Sequence, residues 1–448
     1  MILRRGLHII LPLLLVLSVS SCQTYYQKTK NTEKALVTGE YSNAKDQIQK
    51  SKFLKRKRNS LLYHLELGKV CHLQGSYEES NFHFNEADRM MEEYRNGVEM
   101  AVGVVVNPAM QTYQAETHEQ ILVHYYKSLN YLYLGEMEDA LVEVRRLNLK
   151  QESMSSFAKG KKHKYYKDPF GLMLMGMIYE AEREYNDAFI AYRNAYEVYE
   201  SDQTGLFSQN IPSGLLQDMA RMGGKAGISD PLTSEIKLDG DYAPNGELIL
   251  FWETGLAPVK TEENIIFSLD QNQDGYFFRS DDMNVPVDYD FGANDPNFKP
   301  SDLGIIRLAY SKYILRNSGV NDAQLAVNGV PHKMELGADI SALAFQIEKD
   351  NQLKKLAKNL LRISIKKASE LAVAQENEYA GMALGITNAF SEKADTRNWQ
   401  SLPSQIQFAR IPLKKGMNNI ELKTSAGESF QLDVEGKGRM VFKNLVSY

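Results

Sequence analysis

Along residues 25 to about 200 the apolar positions recur every three or four residues between short polar turns, a period that predicts successive amphipathic helices. The pattern also repeats. Aligning "LLYHLELGKVCHLQGSYEESNFHFNEADRMME" (61–92) with "PFGLMLMGMIYEAEREYNDAFIAYRNAYEVYE" (169–200) matches a glycine on the first helix (Gly68, Gly176) and a tyrosine in the turn (Tyr77, Tyr185). On the second helix a small residue (Ser80, Ala188), an aromatic (Phe84, Tyr192) and an alanine (Ala87, Ala195) then follow at matching offsets. A third copy at 121–150 keeps Gly135, Ala140 and Leu147 but has Lys127 and Ser128 where leucine and glycine are usual. A half copy at 35–51 retains Gly39, Tyr41 and Ala44.

These offsets resemble the tetratricopeptide (TPR) repeat. The resemblance implies a stack of helix pairs with a concave face that holds a peptide, a helix or a partner domain, because each unit contacts mainly its neighbours. Cys71 falls on the inner face of its helix in this register and reads as a small buried apolar residue. The stretch 97–120 lacks a helical period and is expected to lie in or over the concave face.

Beyond about residue 204 the period shortens to two. Segment 205–230, with its glycines and prolines, reads as a linker holding one short helical stretch near Leu215 to Met222. The stretches "GELILFWETG", "NIIFSLD", "DAQLAVNGV", "QIQFARIPL", "KKGMNNIELKT" and "ESFQLDVEG" set apolar residues between turn residues and predict an antiparallel β-sandwich. Between the strand groups, at about 340–390, Leu353, Leu356, Leu360 and Ile363 recur at helical spacing opposite Lys354, Lys355, Lys358, Arg362 and Lys366. That block predicts a helical hairpin inserted in the sandwich, with Gly381 and Gly385 permitting close contact in its second helix. The expected class is a multidomain α + β protein. Residues 1–21 form a signal peptide, 22–204 a TPR-like α-helical solenoid, 205–230 a linker, and 231–448 a β-sandwich-like domain with the helical insertion.

The chain begins with Arg4 and Arg5, an apolar core from Ile9 to Leu17 and then small residues, the three parts of a secretory signal. The tetrad Val19, Ser20, Ser21, Cys22 resembles the bacterial lipobox, which implies acylation (palmitate-type chains) of Cys22 as the first residue of the mature chain. Two or three acyl chains give lasting attachment where one gives only marginal binding. Gln23 and Thr24, with no aspartate beside the cysteine, imply by the same resemblance an outer-membrane lipoprotein facing the periplasm.

Charge narrows the partners. The formal charge of −5 becomes −7 once Arg4 and Arg5 leave with the signal, and a mildly acidic chain is not a general nucleic-acid binder. The basic run "KFLKRKR" (52–58) reads as a solvated face or as a contact for anionic headgroups near the anchored end. In "DQNQDGYFFRSDD", Asp270, Asn272, Asp274 and Gly275 match the start of an EF-hand calcium loop, with Asp281 at the twelfth position. The same residue types serve an ordinary hairpin turn. No H-E-x-x-H, G-x-S-x-G or P-loop is present, so no enzyme class and no cofactor beyond possible calcium is expected.

The stretches "KDPFG" (167–171), "GLAPVK" (255–260) and "ADTRNWQSLPSQIQFARIPL" (394–413) resemble a family of bacterial lipoproteins with TPR-like repeats and a C-terminal β-rich domain. The resemblance implies architecture and anchoring. The expected function is an adaptor in cell-envelope assembly whose repeats grip a protein partner, such as a peptidoglycan synthase or an outer-membrane protein or secretion complex. The alternative is a peptidoglycan-binding module or cell-wall enzyme, in which Asp395, Arg397 and Trp399 hold a sugar.

Overall fold

The computed structural model describes residues 24–95, 108–156, 168–202, 211–238, 243–272, 275–286, 305–316, 322–376 and 393–448. The signal segment, Cys22, Asp274, Gly381 and Gly385 lie outside the described residues.

Helices α1 (Tyr25–Val37) and α2 (Tyr41–Lys50), α3 (Ser60–Leu73) and α4 (Tyr77–Arg95), α5 (Thr117–Leu134) and α6 (Met137–Ser156), and α7 (Pro169–Ala181) and α8 (Tyr185–Ser201) pack as four successive pairs. Every pair turns alike. The N–H groups of Gly39, Gly75, Gly135 and Arg183 donate three residues back, and those of Glu40, Ser76, Glu136 and Glu184 donate five residues back. This Schellman closure requires a left-handed residue at the turn, which glycine supplies three times and Arg183, at φ 65°, once.

Within a pair, Gly68 and Gly176 admit an aromatic ring from the second helix: a Cβ at either position would meet Phe84 or Tyr192 at 2.5 Å. Ser80, Ala87, Ala140, Ala188 and Ala195 are all fully buried where helices meet. In the third pair the departures at Lys127 and Ser128 have structural partners. Lys127 is buried against Glu143 at 2.8 Å, the Ser128 hydroxyl donates to the Tyr125 carbonyl, and Lys150 reaches Asp88 at 2.9 Å. Ion pairs there replace apolar contacts.

The expected linker at 205–230 contains helix α9 (Leu215–Ala226), which packs on α8 and buries Leu215, Met219 and Met222. In its described part it closes the end of the array.

Among the described residues, the second half holds three four-stranded sheets. Strand β1 (Gly246–Leu256) is central to the first, between β9 (Pro403–Pro412), antiparallel, and β12 (Arg439–Ser447), parallel, with β8 (Glu335–Asp339) at the edge. The expectation of a purely antiparallel sandwich is corrected by that parallel pair. Strands β10 (Gly416–Thr424), β11 (Ser429–Gly436), β6 (Ala323–Val327) and β7 (Val330–His332) form the facing sheet. Leu248, Leu250 and Trp252 of β1 pack with Leu325, Ile420 and Leu422 in the sandwich core, while Ile249 and Phe251 join the core of the helical array. Alternation thus buries both faces of one strand.

A third sheet, ordered β4 (Asn284–Pro286), β3 (Gly275–Arg279), β2 (Val259–Asn272) and β5 (Ile305–Ile314), carries helix α10 (Ile340–Glu376) through Leu356, Leu360 and Ile363. The helical insertion is therefore, among the described residues, a single long helix laid on a sheet. The second arm of the expected hairpin falls on residues outside them.

Candidate functional site

The concave face of the array is filled by its own chain. Residues 394–402 run across the inner helices and are held by both main-chain and side-chain bonds. The Trp399 N–H donates to Glu119 of α5 at 2.6 Å, and the Gln400 N–H donates to Glu66 of α3 at 2.9 Å. The Tyr25 N–H at the start of α1 donates to Thr396 at 3.1 Å. Arg397 pairs with Asp395 and donates to Asn59 and the Gln111 carbonyl at 2.7 and 2.9 Å. Trp399 is fully buried between Phe84 and Tyr126, and its indole N–H donates to Ser401. Burial pushes the Glu119 carboxyl up to about 7 and raises Glu66 too.

Two buried ion clusters lock this arrangement. Lys69 of α3 pairs with Glu253 of β1, both wholly buried, and Glu253 also accepts from Tyr126 and Asn444 at 3.0 Å. The Lys69 ammonium lies 4.1 Å from the Tyr126 ring centroid. At the other end, Arg410 of β9 reaches Glu180 of α7, Asp218 of α9 and Glu247 of β1 at 2.9, 2.7 and 2.5 Å. Arg221 of α9 binds Glu180 and Asp218 at 2.8 and 3.0 Å. A buried charge is tolerated when it is paired and hydrogen-bonded, so each cluster ties the two halves at one register.

The stretches that prompted the family resemblance meet at this junction. Asp168 caps α7 and accepts the Phe170 N–H, and Phe170 packs on Phe251, Phe408 and the bare Gly337. Ala257 and Pro258 exchange backbone and side-chain bonds with Leu402 and Asn398.

Beside the filled groove lies an open cleft of ≈ 800 Å³ between segment 108–116, β5, α10 and the loop at 394–397. Lys349, Lys355, Lys358 and Arg362 face it from α10, with Lys260, Lys312 and Arg397 on other walls, against Glu116, Glu348 and Asp395. Burial would raise the Glu116 carboxyl, but Lys260 and Lys355, each at 2.8 Å, hold it well below the usual carboxylate range. Cations exceed acids on these walls, a field that attracts anionic groups.

The sequence-derived candidates fall in different places. The repeat residues Gly68, Tyr77, Ala87, Gly135, Ala140, Gly176, Tyr185, Ala188 and Ala195 all lie in helix pairs or their turns. Of the calcium candidates, Asn272 pairs with Gly275 across the β2–β3 hairpin and Asp270 is bonded to Arg279 at 2.9 Å, while Asp274 lies outside the described residues. Asp281 lies beyond the end of β3, in the bend that leads to β4. Of the sugar-binding trio, Trp399 presents no face and Arg397 is committed to protein partners. Glu66, Lys69, Glu119, Glu253 and Arg410 went unread in the sequence. The one available signal was a charged residue standing at an apolar helical or strand position.

No protein-family model matches the chain, and no curated protein matches it. Among solved structures it is similar to the crystal structure of MamA protein (TM-score 0.28, 13% identity, covering 46% of this chain and 84% of that one). It is also similar to the apo form of RapI (TM-score 0.32, 16% identity, 45% and 64% covered). Both superpositions are shallow, and the repeat assignment stands on the four helix pairs and their common turn.

Proposed function

We propose that the chain is a lipid-anchored, protein-binding scaffold of the cell envelope, with Cys22 tying it to the outer membrane on the periplasmic side. The carrying observation is the filled groove: segment 394–402 occupies the face a repeat array normally offers. The partner therefore uses another concavity, and the basic cleft beside α10 suits an acidic protein segment. Peptidoglycan synthases and outer-membrane protein or secretion machines are the partner classes in view.

Anchoring at Cys22 would hold this body close to the bilayer. Tyr25, already buried, is three residues on, a reach of about 10 Å. Phe53 of the basic run stacks on Tyr25 at 5.6 Å, with Lys28 and Arg56 over its ring. With an anchor at Cys22, "KFLKRKR" would face the bilayer, where lysine and arginine near an anionic surface each contribute about 1 kcal/mol.

A photo-crosslinking side chain at Gln352, on the cleft wall, should capture a discrete envelope protein in cells. The same group at exposed Glu435 on β11 should not. Loss of that product with Lys349→Glu/Lys358→Glu supports the reading, and equal products from both sites defeat it. The cation excess also fits carboxylates of cell-wall peptides, which keeps a peptidoglycan-binding module or cell-wall enzyme as the second reading. Co-sedimentation with purified peptidoglycan, reversed by the same substitutions, would favour it.

A further inference from the structure

The α3–α4 pair contains a cluster that neither the groove nor the cleft uses. His64 and Cys71 are seven residues apart on α3, and Glu79 and His83 four apart on α4, so each helix turns two ligand-type side chains toward the other. The Cys71 thiol, a Glu79 carboxylate oxygen and a His83 ring nitrogen lie within 4.8 Å of one another. The Nδ1 atoms of His64 and His83 are 3.0 Å apart. Cys71 and His83 are buried, while Glu79 is partly open to solvent. Lys45 of α2 spans that opening and bonds Glu79 at 2.6 Å.

We propose that Cys71, Glu79, His83 and His64 form a zinc-class metal site joining the two helices of this repeat. One thiolate, two imidazoles and one carboxylate are the donor types of a four-coordinate zinc site. Zinc–ligand distances of about 2.0–2.3 Å put tetrahedral donors about 3.3–3.7 Å apart. The two histidines need to part by a few tenths of an ångström, and Cys71 and Glu79 to close on His83 and on each other by about 1 Å. Rotation of side chains accommodates both, because the four Cα positions already sit on facing helices. Harder cations such as magnesium and calcium take oxygen donors and do not match this set.

Lys45 stands where it competes with the ion for Glu79. Its side chain is 20% exposed, so a long flexible arm can swing into solvent as the metal enters. Binding releases the thiol proton to solvent, since a coordinating thiol is deprotonated outright, and no other covalent change is involved.

The test is titration of the purified full chain with Zn²⁺ and with Co²⁺ as a spectroscopic stand-in. One equivalent should bind, and cobalt should give a thiolate-to-metal charge-transfer band. Cys71→Ser should abolish that band, His83→Gln should weaken binding by about 100-fold, and Lys45→Met should tighten it by about tenfold. A hydrogen-bonded cluster without a metal role predicts none of these changes. Absence of stoichiometric zinc binding by the folded wild-type chain overturns the proposal. So does a cobalt spectrum lacking the sulfur band, a readout that stands even if Cys71→Ser fails to fold.

Discussion

Glu119 on α5 accepts the backbone N–H of Trp399 at 2.6 Å, so the helical array grips a distant piece of its own chain partly through its main chain. Because burial raises Glu119 from 4.5 to about 7, the folded chain holds a proton there that the unfolded chain has released. Stability from this residue therefore falls as pH rises from about 4.5 through 7. The buried His72 and His118, each held near 4 by burial, oppose this trend, because in the unfolded chain they remain partly protonated up to about pH 7.5. The melting-temperature difference between Glu119→Gln and the wild type should therefore move in favour of the variant as pH rises from about 5 to 7. Equal slopes in both proteins would remove Glu119 as the cause.

Lys69→Met should destabilise the chain by about 3–5 kcal/mol, the cost of leaving a buried charge unpaired. The pair it breaks, with Glu253, is wholly excluded from solvent and lies between the two halves. Lys69→Met/Glu253→Gln should recover most of the loss in urea denaturation, since the stranded carboxylate is gone.

Gly68→Ala places a methyl 2.5 Å from the Phe84 ring, which is fully buried. Overpacking of this kind costs about 1–3 kcal/mol. Adding Phe84→Leu should restore part of it, and a thermal melt of the single and double variants reads the coupling directly.

Arg183→Gly should stabilise the chain. Arg183 adopts φ 65° at the turn where the other three pairs have glycine, a conformation that costs a side-chain-bearing residue about 1 kcal/mol. Its side chain is exposed, so little packing is lost, and a gain in denaturation midpoint is the expected result.

The helices, their turns and their close contacts were legible because the causes are local. A repeat's glycine, aromatic and alanine meet within a span of 20 residues, as Gly68, Phe84 and Ala87 do. Strand alternation likewise marked β1, although an unbroken apolar run does not reveal that its second face belongs to the helical array. At Asp270, Asn272 and Asp274 the sequence stays ambiguous because a hairpin turn and a calcium loop draw on the same residue types. Only the direction of the flanking strands separates the two.

By itself, the amino-acid order determined the helix pairs, the change of period near residue 204 and the small residues that let helices touch. Tertiary structure alone decided that the concave face is filled from within, because Glu66 meets Gln400, Glu119 meets Trp399 and Lys69 meets Glu253 across 184 to 334 residues. Local periodicity carries no information about such pairs. A charged side chain at a helical position is as consistent with solvent as with a buried partner, until another part of the chain excludes the water.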